Sequence, residues 1–84
     1  MITIYQIEGC PYCERVREWV EANAADKPIT FVTEPPEHSK RIKTIAVSGQ
    51  AFVPTMKDEE TGVVIADDDE GIIKYLAAKF PVKS

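Results

Sequence analysis

Ile2-Thr3-Ile4-Tyr5-Gln6-Ile7 is rich in β-branched and aromatic residues and reads as a strand, which Gly9 ends. From Pro11 the period lengthens. Val16, Trp19, Val20 and Ala24 recur at i, i+3, i+4 and i+8, one face of a helix, while Glu14, Arg15, Arg17, Glu18 and Glu21 fill the other faces. Pro11 suits the first helical turn, where its missing N–H costs nothing. Asp26-Lys27-Pro28 stops this helix, and Ile29-Thr30-Phe31-Val32-Thr33 predicts a second strand. Strand, helix and strand within about 33 residues make a βαβ unit, with parallel strands and a right-handed crossover.

The second half is less regular. Pro35-Pro36 opens a weaker helix with a narrow apolar face of Ile42, Ile45 and Ala46, and Gly49 suits its C-terminal end. Short strands are expected over Phe52 to Lys57 and Val63 to Ala66. The hydrophilic run Asp58-Glu59-Glu60-Thr61-Gly62 between them reads as a hairpin turn. Asp69 is the expected cap of a last helix whose face is Ile72, Ile73, Leu76 and Phe80, and Pro81 ends it. The order β-α-β-α-β-β-α predicts a mixed four-stranded sheet flanked by helices. The first helix leaves the carboxyl end of the first strand, the edge where open α/β sheets bind ligands.

Composition narrows the function classes. Eighty-four residues suffice for one domain, expected over 1–84, with a single core. The net charge of −4 argues against nucleic acid as a partner. No apolar run approaches the roughly 20 residues that span a bilayer. No cationic segment precedes an apolar stretch, so no signal peptide is expected. The cytoplasm is the expected location, where thiols are kept reduced and structural disulfides are rare.

The chemistry centres on Cys10-Pro11-Tyr12-Cys13, which holds the chain's two cysteines. A structural zinc site needs four ligands, and Cys10, Cys13 and His38 cannot close one, so no metal is expected. A bridge between residues three apart closes too small a loop to act as a staple. A redox role has a mechanism. Cys10 lies at the cap of the first helix, where its sulfur can accept from free backbone N–H groups and the macrodipole favours negative charge. Cys13 lies one turn inward, within reach of a disulfide. Cys10 can attack a disulfide, and Cys13 can then attack Cys10 to release the mixed disulfide. C-x-x-C in a cytosolic βαβ context is a strong redox signal.

Cys10-Pro11-Tyr12-Cys13 after a first strand resembles the active site of a dithiol glutaredoxin, a branch of the thioredoxin-like fold. The resemblance covers nearly the whole chain. Phe52-Val53-Pro54-Thr55 falls at the family's Val-Pro, and Asp67-Asp68-Asp69-Glu70 with Gly71 to Leu76 falls at the start of its last helix. The stretch from Met56 to Phe80 is similar to the glutathione S-transferase N-terminal form of the fold, without that family's helical second domain.

The resemblance implies roles residue by residue. Cys10 is the nucleophile and Cys13 resolves. Tyr12 forms part of a glutathione groove wall. Val53-Pro54 carries a cis bond, and the Val53 backbone pairs with the cysteinyl part of glutathione like an added strand. Asp68 and Asp69 hold the γ-glutamyl end, Asp69 taking its ammonium and backbone N–H groups its carboxylate. Acidic residues at a helix start also serve as caps without any ligand. Many glutaredoxins have a lysine three residues before the first cysteine, where this chain has Ile7. Arg41 or Lys43 is the candidate for the glycine carboxylate, and solvated charges on an exposed face are the alternative.

The implied function is a glutathione-dependent thiol–disulfide oxidoreductase acting in electron transport on protein–glutathione mixed disulfides and protein disulfides. Glutathione is the reducing co-substrate, no cofactor is bound, and the protein is a monomer. Three alternatives stand beside it: a thioredoxin-like dithiol reductase with weak glutathione use, a carrier of a glutathione-ligated 2Fe–2S cluster, and a glutathione-binding module derived from a transferase N-domain.

Overall fold

The computed structural model describes residues 1–81 of the domain expected over 1–84. Its elements are β1 (Ile2–Gln6), α1 (Pro11–Asn23), β2 (Ile29–Thr33), a 3-10 turn (His38–Lys40), α2 (Ile42–Ser48), β3 (Thr55–Asp58), β4 (Val64–Ala66) and α3 (Asp69–Lys79). They form one sheet in the order β2-β1-β3-β4. β1 runs parallel to β2, with Ile2 opposite Ile29 and Gln6 opposite Thr33. β3 is antiparallel to both β1 and β4. This is the mixed four-stranded sheet with flanking helices that the hydrophobic pattern predicts, and the fold is thioredoxin-like.

The main core lies between the sheet and the pair α1 and α3. Ile2, Ile4 and Met56 from the strands meet Val16, Val20 and Ala24 from α1 and Ile72 and Leu76 from α3. Each such aliphatic side chain contributes about 1.5–3 kcal/mol on burial. Trp19, Ile73 and Phe80, expected on the helix faces, sit partly buried at the margin of this core. A smaller cluster of Tyr5, Cys13 and Val53 packs against Ile7, Cys10, Val32 and Val47. It joins the end of β1 to α1 and to the segment before β3.

Four expectations are corrected. The second helix does not open at Pro35-Pro36 but at Ile42, after the 3-10 turn. A proline pushes its predecessor out of helical dihedrals, so no helix opens through the diproline, which runs into a bend at Pro36 and Glu37. The apolar face expected for that helix points outward, with Ile42 69% and Ile45 38% exposed. Arg41 and Thr44 are buried instead, because the Arg41 guanidinium finds backbone carbonyls inside. Strand β3 starts at Thr55 rather than Phe52. Val53-Pro54 precedes it as a cis peptide, and proline has no N–H for a ladder. The cap of α3 is Asp68, not Asp69: its side chain accepts from the Gly71 N–H at 2.9 Å. Gly49 ends α2 in the left-handed conformation, φ 75°, as its position predicts.

Candidate functional site

The turn from β1 into α1 sets the site. Gly9 takes φ +74°, a conformation open to glycine, and reverses the chain after Gln6. Cys10 follows as the N-cap residue, φ −92° and ψ 117°, and Pro11 occupies the first turn. The Cys10 carbonyl accepts the first helical bond, from the Glu14 N–H at 3.0 Å. The Cys10 side chain makes no capping bond, contrary to the expectation that its sulfur would accept from the helix amides. Pro11 removes one of those donors.

The two cysteines are both free and differ in setting. Cys10 is half-buried and Cys13 buried at 1% exposure. Burial pushes the Cys13 thiol up to about 12, and its hydrogen bond and proximity to the Cys10 sulfur add to this against the opposing Ile7 backbone and Arg17 charge. At neutral pH Cys13 thus keeps its proton. The arrangement pairs an accessible sulfur with a protonated reserve sulfur one helical turn behind it.

Two further segments converge on this point. Val53 packs in the cluster that holds Cys10 and Cys13. Among the described residues, neither the Val53 N–H nor its C=O has an intramolecular hydrogen-bond partner. Its neighbour Phe52 is bracketed instead: the Phe52 N–H donates to Gln50 at 2.7 Å, and the Phe52 carbonyl accepts from Gln50 at 3.1 Å and Thr55 at 2.7 Å. The Pro54 carbonyl accepts from the Asp67 N–H at 3.0 Å, which ties this segment to the entrance of α3. There Asp68 caps the helix, and the Asp69 carboxylate pairs with Arg15 of α1 at 2.7 Å.

The structure thus brings Cys10, Cys13 and Val53 into one contact region, with Pro54 joined to Val53 by the cis bond, and links Asp68 and Asp69 to it through Asp67 and Arg15. Tyr12 is 60% exposed on the surface of the α1 entrance. Arg41 is not at this surface as a free cation. It is 4% exposed, and its guanidinium donates to the carbonyls of Pro35 at 3.0 Å, Ala51 at 3.0 Å and Pro36 at 2.6 Å. The role given to Arg41 toward a glycine carboxylate is corrected accordingly: the residue braces the diproline loop against the segment before Phe52. Lys43 is exposed. Sequence reasoning missed Arg15 and Gln50. Neither belongs to a motif, and only the contact of α1 with α3 and the bend at Val53-Pro54 give them partners. Among the described residues, no three His, Cys, Asp or Glu side chains come together as metal ligands, and no helix is long and apolar enough to cross a membrane.

Comparison with known proteins agrees with this geometry. The family described as "Glutathione S-transferase, N-terminal domain" matches residues 4–84. A search of curated proteins found no match. Among solved structures, an epsilon-class glutathione S-transferase from the housefly Musca domestica superposes with a TM-score of 0.73 at 22% identity, over 95% of this chain and 35% of that one. A glutathione S-transferase isozyme from Drosophila melanogaster gives 0.74 at 26%, over 96% and 35%. Glutathione transferase Omega 2C from Trametes versicolor gives 0.73 at 17%, over 95% and 39%. The chain spans 35–39% of the length of these three structures. The family match over residues 4–84 is decisive: the chain belongs to the glutathione S-transferase N-terminal domain family.

Proposed function

We propose that this domain binds glutathione and works as a glutaredoxin-type thiol–disulfide oxidoreductase. The observation that carries the proposal is the pairing of accessible Cys10 with buried, protonated Cys13 at the start of α1. A domain that only bound glutathione would have no use for the second sulfur. The unpartnered Val53 backbone supports the binding half of the reading, since it offers one donor and one acceptor to an extended peptide. Asp68 and Asp69 stand at the α3 entrance for the γ-glutamyl group, and Tyr12 flanks Cys10 as an exposed wall.

In the reaction, the Cys10 thiolate attacks the glutathione sulfur of a protein–glutathione mixed disulfide. The S–S bond breaks, the protein thiolate leaves and takes a proton, and Cys10 becomes glutathionylated. A second glutathione thiolate then attacks the glutathione sulfur on Cys10, giving oxidised glutathione and returning Cys10 as a thiol. With a protein disulfide the first product is a protein–Cys10 adduct. Cys13 loses its proton and attacks Cys10, the substrate thiol is released, and a Cys10–Cys13 disulfide remains for glutathione to reduce. Every electron comes from glutathione, and the steps need no prosthetic group. The setting that suits this chemistry is a reducing compartment such as the cytoplasm.

The family match favours one second reading, a glutathione-binding transferase domain working with additional chain. One experiment separates the two. The reduced protein is incubated with oxidised glutathione, digested, and mapped by mass spectrometry. A glutathionyl group on Cys10, followed by a Cys10–Cys13 disulfide, is the expected result. Binding of glutathione with no covalent product supports the transferase reading.

A further inference from the structure

A cavity of about 210 Å³ opens beside the cysteine turn, lined by Ile7, Glu8, Thr33, Glu34 and Pro36. It lies outside the carboxyl ends of β1 and β2, and the Glu34 N–H donating to the Gln6 carbonyl at 2.7 Å holds the two ends together. Ile7 forms part of its wall and also packs in the cluster with Cys10 and Cys13. Glu8 is two residues before Cys10, and the turn at Gly9 keeps the two within about 7 Å, the span of an extended chain of that length.

The lining carries two carboxylates and no cation. Glu34 is 6% exposed. One of its oxygens accepts a long hydrogen bond from the Thr44 N–H at 3.5 Å, and the other accepts none among the described residues. No lysine, arginine or histidine pairs with Glu34 or Glu8 among the described residues. The guanidinium groups of Arg17 and Arg41 are engaged elsewhere, Arg17 with Gln6 and Glu14 and Arg41 with three carbonyls. Thr44 Oγ1 is the one fully buried side-chain oxygen or nitrogen without a partner among the described residues, so the second Glu34 oxygen keeps contact with solvent. A cationic head entering the cavity replaces that water at a mostly buried carboxylate that no cation compensates.

We infer that this cavity is a subsite for a basic side chain, lysine or arginine, lying next to the reacting cysteine of a disulfide substrate. The inference rests on Cys10 being the reacting sulfur. Consecutive substrate residues advance about 3.5 Å along an extended chain, so a residue one or two places from a cysteine docked at Cys10 reaches the Glu8 entrance. Ile7 and Pro36 supply apolar wall for the aliphatic stem, and Glu8, Glu34 and Thr33 supply oxygen acceptors for the charged head. The volume suits one side chain, since sites for whole small molecules run to about 300–1,000 Å³. A bare divalent ion is a poor match, because it needs six or more oxygens and only three of the five lining residues carry oxygen in their side chains. An acidic residue at the same place meets two like charges.

The test separates docking from chemistry. Short peptides with S-methylcysteine followed by lysine, norleucine or glutamate cannot exchange disulfides, and their binding to the isotopically labelled, reduced protein is followed by NMR. The lysine peptide is expected to bind about tenfold tighter than the norleucine peptide, with shifts at Ile7, Glu8, Thr33 and Glu34, and the glutamate peptide weakest. Glu8→Gln, at an exposed position, and Glu34→Gln should each shrink the lysine preference. Equal binding of lysine and norleucine peptides, or a preference unchanged in Glu8→Gln, overturns the inference. In a parallel arm the same peptides are offered as mixed disulfides with glutathione. If none turns over while the lysine preference in binding persists, the oxidoreductase reading falls and the cation subsite stands.

Discussion

The two ends of β1 carry polar clusters built on opposite terms. At its amino end Asp58, opposite Ile2 in the sheet, is fully buried. One of its oxygens accepts from the Glu60 N–H at 2.9 Å. The other accepts from the Tyr75 hydroxyl at 2.6 Å and from the Lys79 ammonium. The Asp58 backbone bonds Val63 and Gly62, so one residue closes the β3–β4 hairpin and fastens the end of α3 to it. At the carboxyl end, the Val53 backbone and one Glu34 oxygen have no such partners among the described residues, and the Cys10 side chain makes no capping bond. Polar groups of similar kind therefore do different work. Where every bond is made internally the cluster contributes to stability, and where bonds are left open the protein keeps them for something else.

The comparison breaks most completely at Cys10. Cys10→Ser should abolish all disulfide exchange while leaving the fold intact, because a serine hydroxyl is not ionised at neutral pH and oxygen attacks sulfur poorly. Cys13→Ser should keep turnover of a glutathionylated small thiol, since a second glutathione regenerates Cys10 from solution. It should lose most reduction of a protein disulfide, where Cys13 acts at high effective concentration. Paired assays with the two substrates check this, and equal loss of both in Cys13→Ser would point to a thioredoxin-like mechanism.

At the closed end the expected effect is on stability. Asp58→Asn should destabilise the domain by about 2–3 kcal/mol, the scale of hydrogen bonds to a charged group. Lys79 and Tyr75 hold the Asp58 carboxyl well below the usual carboxylate range. A depressed carboxylate contributes stability that is complete above its unfolded value, about 3.9, and is lost as pH falls toward the folded value. Melting curves from pH 7 down to pH 2 should therefore fall more steeply for the native protein than for Asp58→Asn. Parallel curves would mean that the cluster titrates no differently from the unfolded chain.

The same contrast explains what was legible in the sequence. The strands, α1 and α3 were readable because the residues of their main buried faces meet one continuous core, so periodicity and burial coincide. The position of the cysteine pair at the start of α1 and the cis bond at Val53-Pro54 were readable from local motifs, whereas the choice of Asp68 over Asp69 as the α3 cap was not. The second helix was misread because Arg41 and Thr44 are its buried residues, and the burial of Arg41 depends on carbonyls of Pro35, Pro36 and Ala51 that no periodicity signals. Asp58 stood in the sequence as one acid in a hydrophilic turn, and only the packing of α3 brings Tyr75 and Lys79 to it. Arg41 and Asp58 show the same limit: a charged residue is taken as exposed until its distant partners are known.

A smaller effect separates the sulfurs themselves. Iodoacetamide at neutral pH should label Cys10 more than about tenfold faster than Cys13, because Cys13 is buried and its thiol is pushed up to about 12. Raising the pH to 9 should leave Cys13 slow, since it remains below that value. Mass mapping of the two peptides over time gives both rates, and equal labelling would remove the distinction between an attacking and a reserve sulfur.

The smallest expected effect decides to which end of the comparison Asp69 belongs. Its carboxylate is 16% exposed and accepts from Arg15, whose own side chain is 56% exposed. In stability such a pair is worth at most about 1 kcal/mol, so Arg15→Ala should barely move the melting temperature. Its value lies in orientation. Arg15 holds the Oδ2 atom of Asp69, while Asp68, not Asp69, caps the helix. That leaves the other Asp69 oxygen to receive an ammonium group such as that of a γ-glutamyl residue. If Arg15 positions Asp69 for that task, Arg15→Ala should raise the KM for glutathione about two- to fivefold with kcat unchanged, the pattern of lost ground-state binding. Asp69→Asn should raise it further, because the charge itself is gone. A fall in KM on removing Arg15 would show the opposite: the guanidinium occupies the site the ligand needs, and the Arg15–Asp69 pair is a closed structural contact like the one around Asp58.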